Sequence, residues 1–206
     1  NNPINSSSDI NNLNHFDPES LDYVYKAVKN IKNSLPEEIP LIGFCGSPWT
    51  LAAYSIEGRS SKDFEKTLNF LISNQKDVHN LLIKYTDACF LYLRRQVQSG
   101  ADVIQIFDSW ANLLTKEGLI EYSFNYINAL ISALKLDPVT KNIPVIVFAR
   151  NPKCNIEELI NTSADCISLY WSMNDLNFEL AKNKVAIQGN LDPKILLESD
   201  ETIKRE

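Results

Sequence analysis

Five short, nearly unbroken apolar runs of β-forming residues constrain this chain more than any other feature. They are Pro40–Cys45 (PLIGFC), Asp102–Phe107 (DVIQIF), Pro144–Ala149 (PVIVFA), Cys166–Trp171 (CISLYW) and Val185–Gln188 (VAIQ). A strand with one wet face alternates apolar with polar, whereas a parallel strand covered on both faces is apolar throughout. These runs are of the second kind. Between them the spacing changes to that of helices. The clearest runs from Gln75 to Ser99, with Val78, Leu81, Leu82, Tyr85, Ala88, Cys89 and Tyr92 on one face and Gly100 as its stop. Another spans about Thr115 to Lys135, and shorter ones follow Asn155 and Asn174, both suited to capping. Strand and helix in alternation imply βαβ units and a parallel sheet, so the fold class is α/β. An eight-fold barrel usually needs about 250 residues, while five strands can complete an open doubly wound sheet. The pattern alone leaves both open.

Residues 1–16, rich in Asn and Ser, are expected to be a flexible lead-in, with the ordered domain spanning 17–206. Asp17 can cap a helix that has Pro18 at its first position, with Leu21, Val24, Tyr25, Val28 and Ile31 at helical spacing and Pro36 and Pro40 closing it. The net charge of −6 argues against a nucleic-acid surface, which needs clustered Lys and Arg. The longest uncharged stretch, Ile39 to Ile56, is broken by Pro40, Gly43, Gly46 and Pro48, so no membrane span is expected. No secretory signal is visible at the N-terminus, and a chain that does not open on Met is expected to be processed, trimmed or cut from something longer. The four cysteines form no Cys-x-x-Cys, and none lies close to a His. That suits reduced thiols and an intracellular, by default cytoplasmic, compartment, with no metal site.

In either architecture functional groups gather at the carboxyl ends of the strands. That singles out Gly46-Ser47-Pro48-Trp49-Thr50, Asp108-Ser109-Trp110, Arg150-Asn151 and Gly189-Asn190-Leu191-Asp192-Pro193. Ser47 can cap a helix that opens on Pro48 and presents Tyr54. The helix start could serve as an anion site and Tyr54 as a hydroxyl donor at the mouth; equally, Trp49 and Tyr54 could be core aromatics. Asp108 could project into a pocket or cap its own turn, and the same choice holds for Asn190 and Asp192. Neither His15 nor His79 stands at a strand end, so Ser109 lacks a base and is not expected to be a nucleophile. No Gly-rich phosphate loop is present.

The stretch Pro40-Leu-Ile-Gly-Phe-Cys-Gly-Ser-Pro-Trp-Thr-Leu-Ala-Ala-Tyr54-Ser-Ile-Glu-Gly58 resembles a strand-and-helix signature of the uroporphyrinogen decarboxylase family. Ile104-Gln-Ile-Phe-Asp-Ser109-Trp-Ala is similar to its next strand, and Val185-Ala-Ile-Gln-Gly-Asn-Leu-Asp-Pro193 to its seventh strand and turn. The resemblance covers about 17–206 and implies a partial (β/α)8 TIM barrel with about five of eight strands, the family's third to seventh. It departs from the family pattern at Arg59-Ser60-Ser61, Asn112 and Tyr170.

The resemblance implies a cofactor-free lyase of haem synthesis that removes carbon dioxide from the four acetate arms of uroporphyrinogen, giving coproporphyrinogen. It places Tyr54 and Ser109 against the small-molecule substrate. The family's arginines, aspartate and histidine belong to strands without counterpart here, so no residue of this chain is assigned a catalytic role; Asp108 and Asp192 do not take the aspartate's place. A homodimer is implied by the resemblance alone. With two strand edges unpaired, the isolated chain is expected to be poorly folded and inactive. Two alternatives stand beside this reading. One is a non-catalytic truncated remnant. The other is a related cobalamin-linked methyltransferase, whose zinc-thiol chemistry wants a His-x-Cys that this chain lacks.

Overall fold

The computed structural model describes residues 2–173 and 178–206. Five strands form one parallel sheet in the order β1-β2-β3-β4-β5: β1 (Ile42–Gly46), β2 (Val103–Asp108), β3 (Val145–Ala149), β4 (Cys166–Ser168) and β5 (Ala186–Gln188). Each strand lies beside its predecessor, so the chain steps in one direction without the reversal that marks a doubly wound sheet. With crossovers of one hand, such a sheet carries its helices on one side, which is the order of a barrel.

Burial shows the same sidedness. Ile104, Ile106, Val145, Val147 and Ile167 alternate along their strands and are fully buried against the helical layer, whereas Ile42 and Phe44 on the other side are 44% and 59% exposed. The continuous apolar runs therefore do not mean two covered faces in this chain. Five strands curve around part of a lumen whose concave side is open at Ile42 and Phe44 and partly open at Phe107 and Phe148, while Gln105 and Ile146 on that side are 7% exposed.

The helices form where spacing and caps dictate. A 3-10 turn at Pro18–Leu21, capped by Asp17, leads into α2 (Asp22–Ser34), and α1 (Ser7–Asn11) precedes both. After β1 come α3 (Pro48–Glu57), α4 (Glu65–Ser73) and the long α5 (Gln75–Gln98). The helix expected over about 115–135 is present in three joined pieces. These are α6 (Lys116–Leu119), capped by Thr115, a π turn at Ile120–Phe124, and α7 (Asn125–Leu136). Asn155 makes a capping box with Glu158 at α8 (Ile156–Ile160). Two short helices, α9 (Phe178–Ala181) and α10 (Asp200–Arg205), flank β5. The cap expected at Asn174 lies outside the described residues.

The flexible lead-in expected over residues 1–16 is corrected by the structure. Ile4 and Ile10 are buried in the main core, Ser6 caps α1, and the Ile4 N–H donates to the Ser55 carbonyl at 2.9 Å. Pro3 rests on Gly58, where a Cβ would lie 2.3 Å from the proline ring and φ is +80°. Ile4 and Ile10, with Leu13 packed beside them, show no periodicity, yet two buried anchors hold the segment.

The free edge of β1 is not bare. The odd-numbered neighbours Leu41 and Ser47 bond to β2, so the Phe44 N–H and C=O point away from it. The Gln96 side chain from α5 meets both, its Oε1 accepting from the Phe44 N–H at 3.0 Å and its Nε2 donating to the Phe44 carbonyl at 2.9 Å. A side-chain amide thus occupies the place of a neighbouring strand at that residue. At the amino ends of the strands, Asp102 binds the Leu41 N–H and Lys32, both at 2.7 Å. The Leu41 N–H foremost, then Lys32, hold its carboxyl below the ordinary range.

Candidate active site

The carboxyl ends of β1 and β2 and the π turn at Ile120–Phe124 are tied together by one buried carboxylate. Ser47 caps α3, its Oγ accepting from the Thr50 N–H at 3.0 Å, and its own N–H donates to the Phe107 carbonyl at 2.8 Å. The Ser47 and Thr50 hydroxyls each donate to Asp108 Oδ1 at 3.1 Å, and the Ser123 hydroxyl from the π turn donates to Oδ2. Asp108 is fully buried. Burial pushes its carboxyl above the ordinary value, with the three hydroxyls pulling the other way. Of the two roles its strand-end position leaves open, projection into a pocket is not the one taken: the carboxylate turns inward among the three hydroxyls.

Ser109 and Tyr54 hang from this frame. The Ser109 N–H donates to Thr50 Oγ1 at 2.9 Å, the oxygen that also donates to Asp108. Tyr54, on the exposed side of α3, packs edge-on against Phe64 at 5.8 Å and against Trp110 at 5.7 Å between ring centroids. Trp110, the residue after Ser109, is fixed in turn by the Trp49 indole N–H donating to its carbonyl at 3.0 Å. Tyr54 thus packs on the indole of the residue that follows Ser109.

Sequence reasoning missed the aromatic row on the concave side. Phe44 and Phe107 meet edge-on at 5.9 Å, Phe107 and Phe148 edge-on at 5.9 Å, and Phe148 and Tyr170 tilted at 6.5 Å, so a row of four rings runs across β1, β2 and β3 to the segment just after β4. The signal was present: each phenylalanine sits one position from a residue that faces the helices. Runs apolar at every position hid which face each ring takes.

Other candidates settle into structural roles. The Asn190 amide donates to the carbonyls of Trp171 and Met173 at 3.3 Å each, and Asp192 accepts from the Lys194 N–H at 3.0 Å. His79 bonds to Tyr126 at 2.6 Å and Glu121 at 3.2 Å and stacks on Tyr122, on the helical layer. All four cysteines are free thiols; the neighbouring Cys89 thiol foremost, then burial, push the Cys45 thiol well up.

Comparison with known proteins decides the family. The model of the family described as Uroporphyrinogen decarboxylase (URO-D) matches residues 1–206. The chain belongs to the uroporphyrinogen decarboxylase family. Curated relatives of that name include proteins of Wigglesworthia glossinidia brevipalpis, 42% identical over 208 residues, and Pseudoalteromonas atlantica, 39% identical over 207. The Magnetococcus marinus relative is 41% identical over 205 residues. The alignments cover 100%, 99% and 98% of this chain but only 58%, 58% and 57% of those relatives. The chain therefore spans a little over half their length. Its fold is that of a partial TIM barrel, as membership of the uroporphyrinogen decarboxylase family implies. No helix among the described residues is long and apolar enough to cross a membrane.

Proposed function

We propose that this chain forms the central part of a uroporphyrinogen decarboxylase and supplies one wall of its tetrapyrrole pocket. The observation that carries the reading is the open row of Phe44, Phe107, Phe148 and Tyr170 beside the Tyr54 and Ser109 mouth. A porphyrinogen presents apolar rings with a carboxylate rim. Edge-on aromatic rings suit the rings of such a ligand, and hydroxyls on a rigid frame suit its rim.

In the reaction a proton adds to a pyrrole carbon, making that ring an electron sink. The bond between the acetate methylene and its carboxylate then breaks, releasing carbon dioxide while the electron pair enters the ring. A proton on the exocyclic carbon and loss of the ring proton leave a methyl group. Tyr54 and Ser109 serve by hydrogen-bonding the substrate, and the frame around Asp108 keeps them in place without reorganisation. The arginines, aspartate and histidine of the family have no counterpart in the 206 residues, so this chain alone is expected to bind without turnover. Pairing of two copies and a cytoplasmic location belong to the same reading.

The test is titration of the chain with uroporphyrin, the stable oxidised form of the substrate, followed by tryptophan fluorescence, together with a coproporphyrinogen assay. Saturable binding, weakened by Tyr54→Phe and by Ser109→Ala without turnover in either case, is the expected result. A folded chain, by near-ultraviolet circular dichroism, that does not bind uroporphyrin overturns the reading.

A further inference from the structure

Arg150 follows β3 directly, and its N–H donates to the Asp108 carbonyl at 2.9 Å, so the ladder with β2 continues through it. Ile146 and Phe148 face the concave side, and strand alternation puts Arg150 on that side too. Its guanidinium carbon lies 5.7 Å from the centre of the Trp110 ring, the same indole that Tyr54 packs against from the other strand end. Arg150 is exposed, and among the described residues no carboxylate pairs with it, whereas Arg94 holds Asp137 at 3.0 Å and Lys116 holds Glu158 at 2.6 Å. The next residue, Asn151, turns the chain away with φ +44°, a conformation Asn tolerates better than most. A fixed cation left available on the lumen side of a strand end is arranged to meet an anion.

The net charge of the chain is −6, so its overall field repels a polycarboxylate and attraction must come from local cations. We propose that Arg150 binds a carboxylate arm of the tetrapyrrole and favours the porphyrinogens that carry more of them. This rests on the reading of the pocket above. A guanidinium resting over an indole, with no carboxylate paired to it among the described residues, has N–H groups free for a two-point grip on a carboxylate.

The test compares uroporphyrin, with eight carboxylates, and coproporphyrin, with four, as ligands of the chain and of three variants at low and high salt. Arg150→Ala is expected to weaken uroporphyrin binding by about tenfold or more, to weaken coproporphyrin binding less, and to reduce the salt dependence. Arg150→Lys should recover part of the affinity. Arg150→Gln, which keeps the stem on Trp110, should behave like the alanine variant. Wild-type affinity and salt dependence in Arg150→Ala overturn this proposal and leave the pocket reading intact. A Gln variant that binds like wild type also overturns it, because packing rather than charge would then matter. Absence of uroporphyrin binding by the folded wild-type chain overturns both.

Discussion

Toward their carboxyl ends, β2 and β3 turn apolar residues to the helices and to the concave side alike, in unlike circumstances, while Gln105 and Ile146 lower on the concave side are 7% exposed. Ile104, Ile106, Val145 and Val147 are fully buried, while Phe107 and Phe148 remain partly in solvent and Phe44 on β1 is 59% exposed. Apolar character by itself therefore does not say what a residue does in this sheet. The helical face holds the fold together through close packing, and the concave face offers the same kind of surface to something else.

The sharpest way to break this contrast is at two adjacent residues of β2. Ile106→Ala removes a fully buried side chain from the helical face. It is expected to cost about 2–5 kcal/mol. Phe107→Ala, one residue along and facing the lumen, should cost clearly less despite deleting a larger group. Urea unfolding of both variants measures this, and equal losses would erase the distinction between the faces.

Next in size is the capped edge of β1. Gln96→Leu keeps the bulk but leaves the Phe44 N–H and C=O without partners. The expected loss is about 1–3 kcal/mol, with faster hydrogen exchange at the Phe44 amide. If neither changes, the amide only fills space.

The third effect is a slope. Burial raises the Asp108 carboxyl above 3.8, so the folded state holds that proton more tightly than the unfolded chain does. The stability it contributes is full below about 3.8 and is lost as pH rises through its raised native value. Asp102, Asp137 and Glu158 are shifted down and act in the opposite sense, losing stability as pH falls. Subtracting the profile of Asp108→Asn isolates the buried group. The stability of wild type relative to that variant should decline as pH rises across that window, and a flat difference would contradict the assignment.

Much of this was legible in the residues. All five runs contain strands, trimmed at the amino ends for β1 and β2 but extended by one residue at their carboxyl ends, and Ser47, Asp17 and Asn155 cap where their chemistry says they should. Strand order was not legible in the local pattern, which carries no information on which strands become neighbours; the barrel was chosen by resemblance, and the assembled sheet shows its order. Ile4 and Ile10 escaped for a related reason, since their anchorage depends on a surface formed by residues far along the chain. Tyr54 and Ser109 were singled out as substrate-binding only through family resemblance. The role of Asp108 was not legible, because a strand-end position leaves pocket and turn cap equally open, while three hydroxyls from other segments turn it inward.

The smallest expected effect on stability is also the one that sharpens the comparison most. Phe44 contributes its backbone to the fold through Gln96 and its ring to the concave side, so the two contributions can be separated by truncating the ring alone. Phe44→Ala leaves the Gln96 bonds in place and removes a ring that is already mostly in water. The stability change should stay within about 1 kcal/mol, the range of an exposed edge-on aromatic contact. Uroporphyrin affinity should nevertheless fall several-fold, because the row loses its first ring. A loss of stability as large as that of Ile106→Ala, with affinity unchanged, would make the ring part of the core and deprive the concave face of its separate purpose.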